Sequence, residues 1–323
     1  MKVQNNSYLY HIYLPKYRFM KNIVLIITAL LCLTMNLYPQ ENNWESYTNG
    51  EHIASICDAG NSIWIGTWGG LVMINKSNDS TMFYNKTNSG LNSNFIQTIA
   101  IEENGTLWIG TFSDVYSFNG SGWVEYNSSN SGLPNDLITT IYIDKNNTKW
   151  IATNSGLTAF NGDSWITYDT TNSLLPSNKV SAIVCDDYGT LWIGTSDEDI
   201  EGGLTAYDGT DWFNYNTPNN DLRHISSIAI DDDGMKWIGT PSRYDNIGLF
   251  TFDSINWTIY NMTNSSLPTD YIYSIQVDES GTKWIGTEKG LVSYNDIAWI
   301  VHEIENTSED DTFNTINMIL TIV

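Results

Sequence analysis

Beyond residue 40 the chain alternates short apolar runs with polar punctuation. Runs of four to nine residues, rich in Ile, Thr, Tyr and Trp, are separated by clusters of Asn, Asp and Gly, which is strand-and-turn chemistry. The stretch 136–170 shows the unit: DLITTIYID, KNNT, KWIAT, NSG, LTAFNG, SWITYDTTNS. No run holds a 3.6-residue period over twelve residues except at the extreme N-terminus. The pattern therefore predicts an all-β chain.

The unit recurs. SIWIGT, TLWIGT, TKWIAT, TLWIGT, MKWIGT and TKWIGT place Trp64, Trp108, Trp150, Trp192, Trp237 and Trp284 at intervals of 44, 42, 42, 45 and 47 residues. Four short strands at this period are the mark of a β-propeller blade. Six repeats are complete. WESY (44–47) matches the outermost strand seen in WVEY, WITY, WFNY and WTIY, and DTFNTINMI (311–319) matches the innermost strand. The prediction is a β-propeller of four-stranded antiparallel blades over 41–323, six complete repeats plus strands of an incomplete seventh. Those strands either close the ring together or mark the front part of a longer reading frame. The second reading accounts for a strand that ends at Val323 with no turn or cap.

Of thirteen Trp, eleven occupy the two repeated slots of the six units and Trp44 the second slot of the leading fragment. Burying one removes about 150–250 Å² from water, a gross ~4–6 kcal/mol. The Trp-rich motif is thus read as packing between blades. Only Trp68 stands outside the pattern.

Residues 20–40 read as a secretory signal: Lys21, an apolar run from Ile23 to Leu33 too short to span a bilayer, then a polar exit. Residues 1–19 form a non-native leader or an extended positive region, with Met20 as the start. Cys32 belongs to the apolar run, because Leu30 and Leu31 stand where a lipid-anchor signal needs small residues. Cys57 and Cys185 lie in blades one and four, too far apart for a disulfide, and no Cys/His spacing suggests a metal or cofactor. The chain is expected to be periplasmic or extracellular, with no cofactor and no membrane span after the signal.

Charge narrows the partners. The chain has 14 Lys and Arg against 37 Asp and Glu, a formal charge of −23, and all the acids lie beyond residue 40. Such a surface repels phosphate backbones and anionic membranes, so nucleic acid is excluded. An oligosaccharide, a cation or a basic protein partner is admissible.

The unit I-x-x-I-x-x-D-x-x-G-T-x-W-I-G-T-x-x-G-L-x-x-Y, visible as IYSIQVDESGTKWIGTEKGLVSY (272–294), resembles the two-component regulator propeller repeat of bacterial extracytoplasmic sensors. The likeness covers about 50–320. It implies a propeller that forms the sensing part of membrane-bound kinases, often concerned with polysaccharide use, or a secreted protein without a kinase. No membrane, kinase or receiver segment follows the repeats, so a signalling domain would have been lost or would lie on another chain.

Candidate site residues follow from propeller geometry. Loops that join one blade to the next share a face with the loops between second and third strands. The residue before each innermost strand should ring the channel mouth: His52, Phe95, Leu137, Lys179, His224 and Tyr271. Trp68 and Phe112 follow directly on the WIGT strand at the same face and suit stacking on a pyranose ring, Trp68 being the leading candidate. Arg243 and Tyr244, in the long loop 241–248, suit a sugar hydroxyl or carboxylate. Asp197, Asp199 and Glu201, in the long loop 196–203, are weak cation candidates against a solvated acidic loop. Asp144, Asp186, Asp231 and Asp278 are read as turn formers that bond backbone amides.

The expected role is non-enzymatic ligand binding or sensing, with carbohydrate as the expected ligand class. The alternatives are a structural or protein-interaction scaffold at the cell surface and a polysaccharide-active hydrolase or lyase. The mature chain has only Arg223 and Arg243, too few for the three-arginine grip of a sialidase. No paired carboxylates stand out for glycoside hydrolysis, and no nucleophile motif appears.

Overall fold

A computed structural model describes residues 52–197, 202–215, 217, 222–241 and 248–302. The signal segment 20–40, the leader 1–19, WESY and DTFNTINMI lie outside them. Residues 53 onward form a unit of their own, distinct from Met1–His52. It holds six four-stranded antiparallel sheets, each built from strands consecutive in sequence and ordered first to fourth. Blade three is representative: Ile138–Ile143, Lys149–Thr153, Gly156–Phe160 and Trp165–Tyr168. The first strands start at Ile53, Ile96, Ile138, Val180, Ser227 and Ile272, and each packs on the next to arrange the blades in a ring, a β-propeller. Blade five's first strand begins two residues later than the repeat predicts, because His224 pairs with Ser196 in an isolated bridge and Ser226 N–H bonds to the Gly239 carbonyl.

The repeated heptad now has a physical reading. The Gly that opens GTxWIGT takes a positive φ, +86° at Gly105 and +88° at Gly189, which a residue with a side chain resists. The closing Thr caps the next turn: Thr67 Oγ1 donates to the Gly70 carbonyl and accepts from Gly69 N–H, and Thr153 does the same in blade three. The Gly of WIGT is a close-approach site. A Cβ at Gly110 would lie 2.6 Å from Ile138 of the next blade, and one at Gly194 would lie 2.5 Å from Ile225. Blade three carries Ala152 instead, and the residue it meets is Val180 rather than Ile. A methyl gained on one blade is offset by a methylene lost on the other.

Five hydrophobic clusters fill the five successive blade interfaces. At each, the first Trp of one blade meets an aromatic on the third strand of the next. Trp108 packs edge-on to Phe160 at 5.8 Å and Trp192 edge-on to Phe252 at 6.1 Å. The second Trp stacks on that same third-strand residue within its own blade, Trp165 on Phe160 at 4.1 Å. The interblade packing read from the sequence is present. Hydroxyls stitch the inner strands as well: Thr139 donates to the Val180 carbonyl and Ser181 to the Ile225 carbonyl, while Ser55 Oγ accepts from Ile99 N–H.

The turn acids do more than hold amides. Asp144 Oδ1 accepts from Asn146 and Thr148 N–H as expected, and its Oδ2 also accepts the indole N–H of Trp150 at 3.0 Å. The same six-residue link joins Glu102 to Trp108, Asp186 to Trp192, Asp231 to Trp237 and Asp278 to Trp284. A buried donor that would otherwise cost about 1–3 kcal/mol is thereby satisfied in blades two to six.

Candidate functional site

The face that carries the turns between second and third strands bears an aromatic cluster over blades one and two. Trp68 comes from the turn after blade one's WIGT strand, Phe112 from the equivalent turn of blade two, and Phe95 from the connection that leads into blade two. Phe95 lies at their centre, 6.1 Å from Trp68 in an edge arrangement and 5.9 Å from Phe112 in a tilted one. All three remain 40–46% exposed. Other exposed aromatics among the described residues, Phe83, Phe213 and Tyr188, make no ring contact, so three that touch one another and still face water are a departure from the repeat. Rings held edge-on and tilted to one another and left partly open to solvent form a stacking platform for an apolar ligand face.

Beside the platform the repeat breaks again. The turn between second and third strands has Gly at its fourth position in most blades, at Gly70 and Gly156 with φ of +138° and +131°. A Cβ at Gly70 would fall 2.4 Å from the Tyr84 carbonyl oxygen. Blade two has Asp114 there. Its carboxylate is buried, accepts from Ser113 Oγ at 2.8 Å and lies 3.3 Å from the hydroxyl of Tyr116. Burial is the largest influence on Asp114 and raises its pKa, with Glu125 adding repulsion against the bonds from Ser113 and Tyr116. Tyr116 is fully buried, and its hydroxyl accepts from Asn92 N–H at 3.1 Å while burial pushes its pKa up. This carboxyl was not anticipated from sequence. The signal was present as TFSDVYSF, where the other units read x-x-G-L.

The remaining described candidates lie apart from the platform. Lys179 pairs with Asp197 at 3.0 Å, and Asp197, itself buried, also accepts from Ser177. That pairing sets Asp197 in a lysine contact rather than a solvated acidic loop, while Asp199 and Glu201 lie outside the described residues. His224 Nδ1 is 3.4 Å from Ser196 Oγ. Tyr271 is half-buried, with its carbonyl accepting from Glu288 N–H. His52 is half-buried and its pKa is lowered by burial. Arg243 and Tyr244 lie outside the described residues. The structure therefore brings together Trp68, Phe95 and Phe112, and separately Lys179 with Asp197.

Cys57 and Cys185 are free and half-buried, each thiol pushed up to about 11 by burial and neighbouring carboxylates. Among the described residues, no group of three or more His, Cys, Asp or Glu side chains is placed to hold a metal. Among the same residues, no helix is long and apolar enough to cross a membrane.

A family model described as "Two component regulator propeller" matches residues 90–113 and 174–197, the segments that run through the WIGT strands of blades two and four. No curated protein matches the chain in sequence. Among solved structures, the extracellular domain of a protein described as a hybrid two component system from B. thetaiotaomicron is similar with a TM-score of 0.66 and 26% identity, over 79% of this chain and 34% of that one. A second extracellular domain from B. thetaiotaomicron, described as of a one component system, gives a TM-score of 0.59 at 18% identity, over 84% and 42%. This chain thus spans less than half the length of either. Virginiamycin B lyase from Staphylococcus aureus is similar with a TM-score of 0.64 at 12% identity, over 79% and 85%, a likeness of fold. In fold this chain is a β-propeller, and two of its six repeats match the two-component regulator propeller model.

Proposed function

We propose that this propeller is an exported, non-enzymatic sensory module that binds an oligosaccharide on the platform of Trp68, Phe95 and Phe112. The observation that carries the reading is the contact among these rings, which arise from three separate loops and remain open to solvent. A pyranose presents an apolar C–H face to such a surface and turns its hydroxyls to polar neighbours. The mouth residues Lys179, His224 and Tyr271 supply further donors on the same face. Export rests on the signal read at 20–40, and the extracellular setting of the similar B. thetaiotaomicron domains supports it. Signalling would pass to a domain later in the reading frame or on another chain.

The test is calorimetric titration with a panel of neutral oligosaccharides. Saturable binding to at least one, weakened tenfold or more by Phe112→Ala with no change in the unfolding midpoint, is expected. Failure of every neutral glycan to bind sinks the carbohydrate class. Turnover of any of them by the purified chain would replace sensing with catalysis.

A further inference from the structure

A second site emerges from comparing the blade interfaces at the opposite face, where the D-x-x-G-T turns lie. The residue before each first Trp reaches across to the preceding blade. In blades three, five and six it is lysine, and the ammonium is laid on the preceding blade's Trp. Lys149 Nζ sits 5.3 Å from the Trp108 ring, Lys236 Nζ 4.3 Å from Trp192 and Lys283 Nζ 5.0 Å from Trp237. Two of these ammonium groups also touch the acid oxygen that holds the indole. Lys149 is 2.9 Å from Glu102 Oε1, which accepts from Trp108, and Lys283 is 3.3 Å from Asp231 Oδ2, which accepts from Trp237. In blade one, where the next blade offers Leu107, Asp58 is met by Lys76 of its own blade. The fold thus repeatedly builds a receptor of Trp face and carboxylate and fills it with a lysine.

The interface between blades three and four has the receptor without the lysine. Leu191 stands at the slot, packed in the interface cluster with Trp150. Asp144 Oδ2 bonds to Trp150 Nε1, and among the described residues no lysine or arginine pairs with Asp144. A cavity of about 420 Å³ opens here, bounded by Asp144, Trp150, Tyr168, Tyr207 and Asp208, with Tyr188 at its edge. Tyr188 is 94% exposed, beyond any other large apolar side chain among the described residues. Lys145, the basic residue of the lining, donates to the Asp187 carbonyl at 3.1 Å. A carboxylate and aromatic faces in one recess recognise a cation on an aliphatic stem, and the surrounding surface is strongly acidic.

We propose that this cavity receives a lysine side chain of a partner polypeptide, its ammonium seated on Asp144 Oδ2 against Trp150 and its stem along Tyr207. The internal lysines are the template: Lys149 and Lys283 are delivered by a neighbouring strand to the same pair of Trp face and carboxylate, and Lys236 to the Trp face. The site is independent of the aromatic platform and stands whether or not that platform binds sugar.

The test is titration of the full chain, followed by tryptophan fluorescence, with Nα-acetyl-L-lysine methylamide and with its norleucine counterpart, which keeps the stem and lacks the ammonium. The lysine compound should bind saturably and at least tenfold tighter than the norleucine one. Leu191→Lys should restore the neighbours' arrangement, so binding should vanish while the unfolding midpoint holds or rises. Asp144→Asn should weaken binding at least tenfold. Equal binding of the two compounds, no binding of either, or undiminished binding by Leu191→Lys would overturn the proposal. A Leu191→Lys chain that fails to fold would also overturn it, because the slot would then not be a lysine receptor.

Discussion

The tryptophans inside the blade interfaces and the aromatics over blades one and two are alike in chemistry and opposite in role. Trp108 is 3% exposed, clamped by Glu102 through its indole N–H and by Lys149, Tyr126 and Phe160 around its ring. Trp68 is 41% exposed, and the ring contact described for it is Phe95, itself exposed. The first kind of residue recurs with the repeat because every interface needs it. Among the described residues the second kind, exposed rings in mutual contact, appears once, where no interface asks for it. In a tandem fold the period reports architecture, and the departures from the period report what one blade does that the others do not.

The comparison can be broken most severely at Trp108. Its replacement by Ala removes a buried ring from a packed interface and should cost about 3–5 kcal/mol, read as a lowered denaturation midpoint; a loss under about 1 kcal/mol would mean the interfaces do not carry the stability. Next comes Glu102→Gln, which leaves Lys149 buried without its anion and should cost about 3 kcal/mol at neutral pH. Burial alone would raise the Glu102 pKa, but the bonds from Lys149, Trp108 and Asn147 outweigh it and hold the carboxyl below its ordinary range. Its contribution is therefore full above the ordinary carboxylate pKa and is lost as pH falls through the depressed one. Denaturation of wild type and variant at pH 7 and at strongly acidic pH should show the gap closing at low pH.

Asp114 should behave in the reverse sense. Burial raises its pKa, so ionisation at neutral pH opposes folding, and any stabilisation it gives is present at low pH and lost as pH rises through the raised value. Asp114→Asn is expected to leave stability at pH 7 unchanged or higher. A clear destabilisation there would make Asp114 part of the framework rather than a departure kept for the site.

Much of the fold was legible because its determinants are local and repeated. The Trp period, the Asx turns at Asp144 and its counterparts, and the closing Thr each act within a few residues, so pattern alone reveals them. Other determinants act across blades and leave no local trace. The link from Asp144 to Trp150 was visible as a constant spacing, yet its bond to the indole depends on how the ring is turned against the neighbouring blade. The exchange of Gly and Ile for Ala152 and Val180 is invisible until the two blades meet. At the candidate site, Trp68 and Phe112 stood out as residues without a packing slot, and Phe95 as part of a diverse ring, but their mutual contact required three loops to converge. Asp114 and the cavity beside Asp144 were overlooked because single departures, Gly to Asp and Lys to Leu, carry weight only once the structure shows what the replaced residue does elsewhere.

The most direct measurement is the smallest expected change in stability. Trp68→Ala should shift the unfolding free energy by less than about 0.5 kcal/mol, as for an exposed side chain outside the core, while removing saturable oligosaccharide binding. A loss of stability comparable to that of Trp108→Ala would contradict the account, since Trp68 would then be one more packing residue of the repeat.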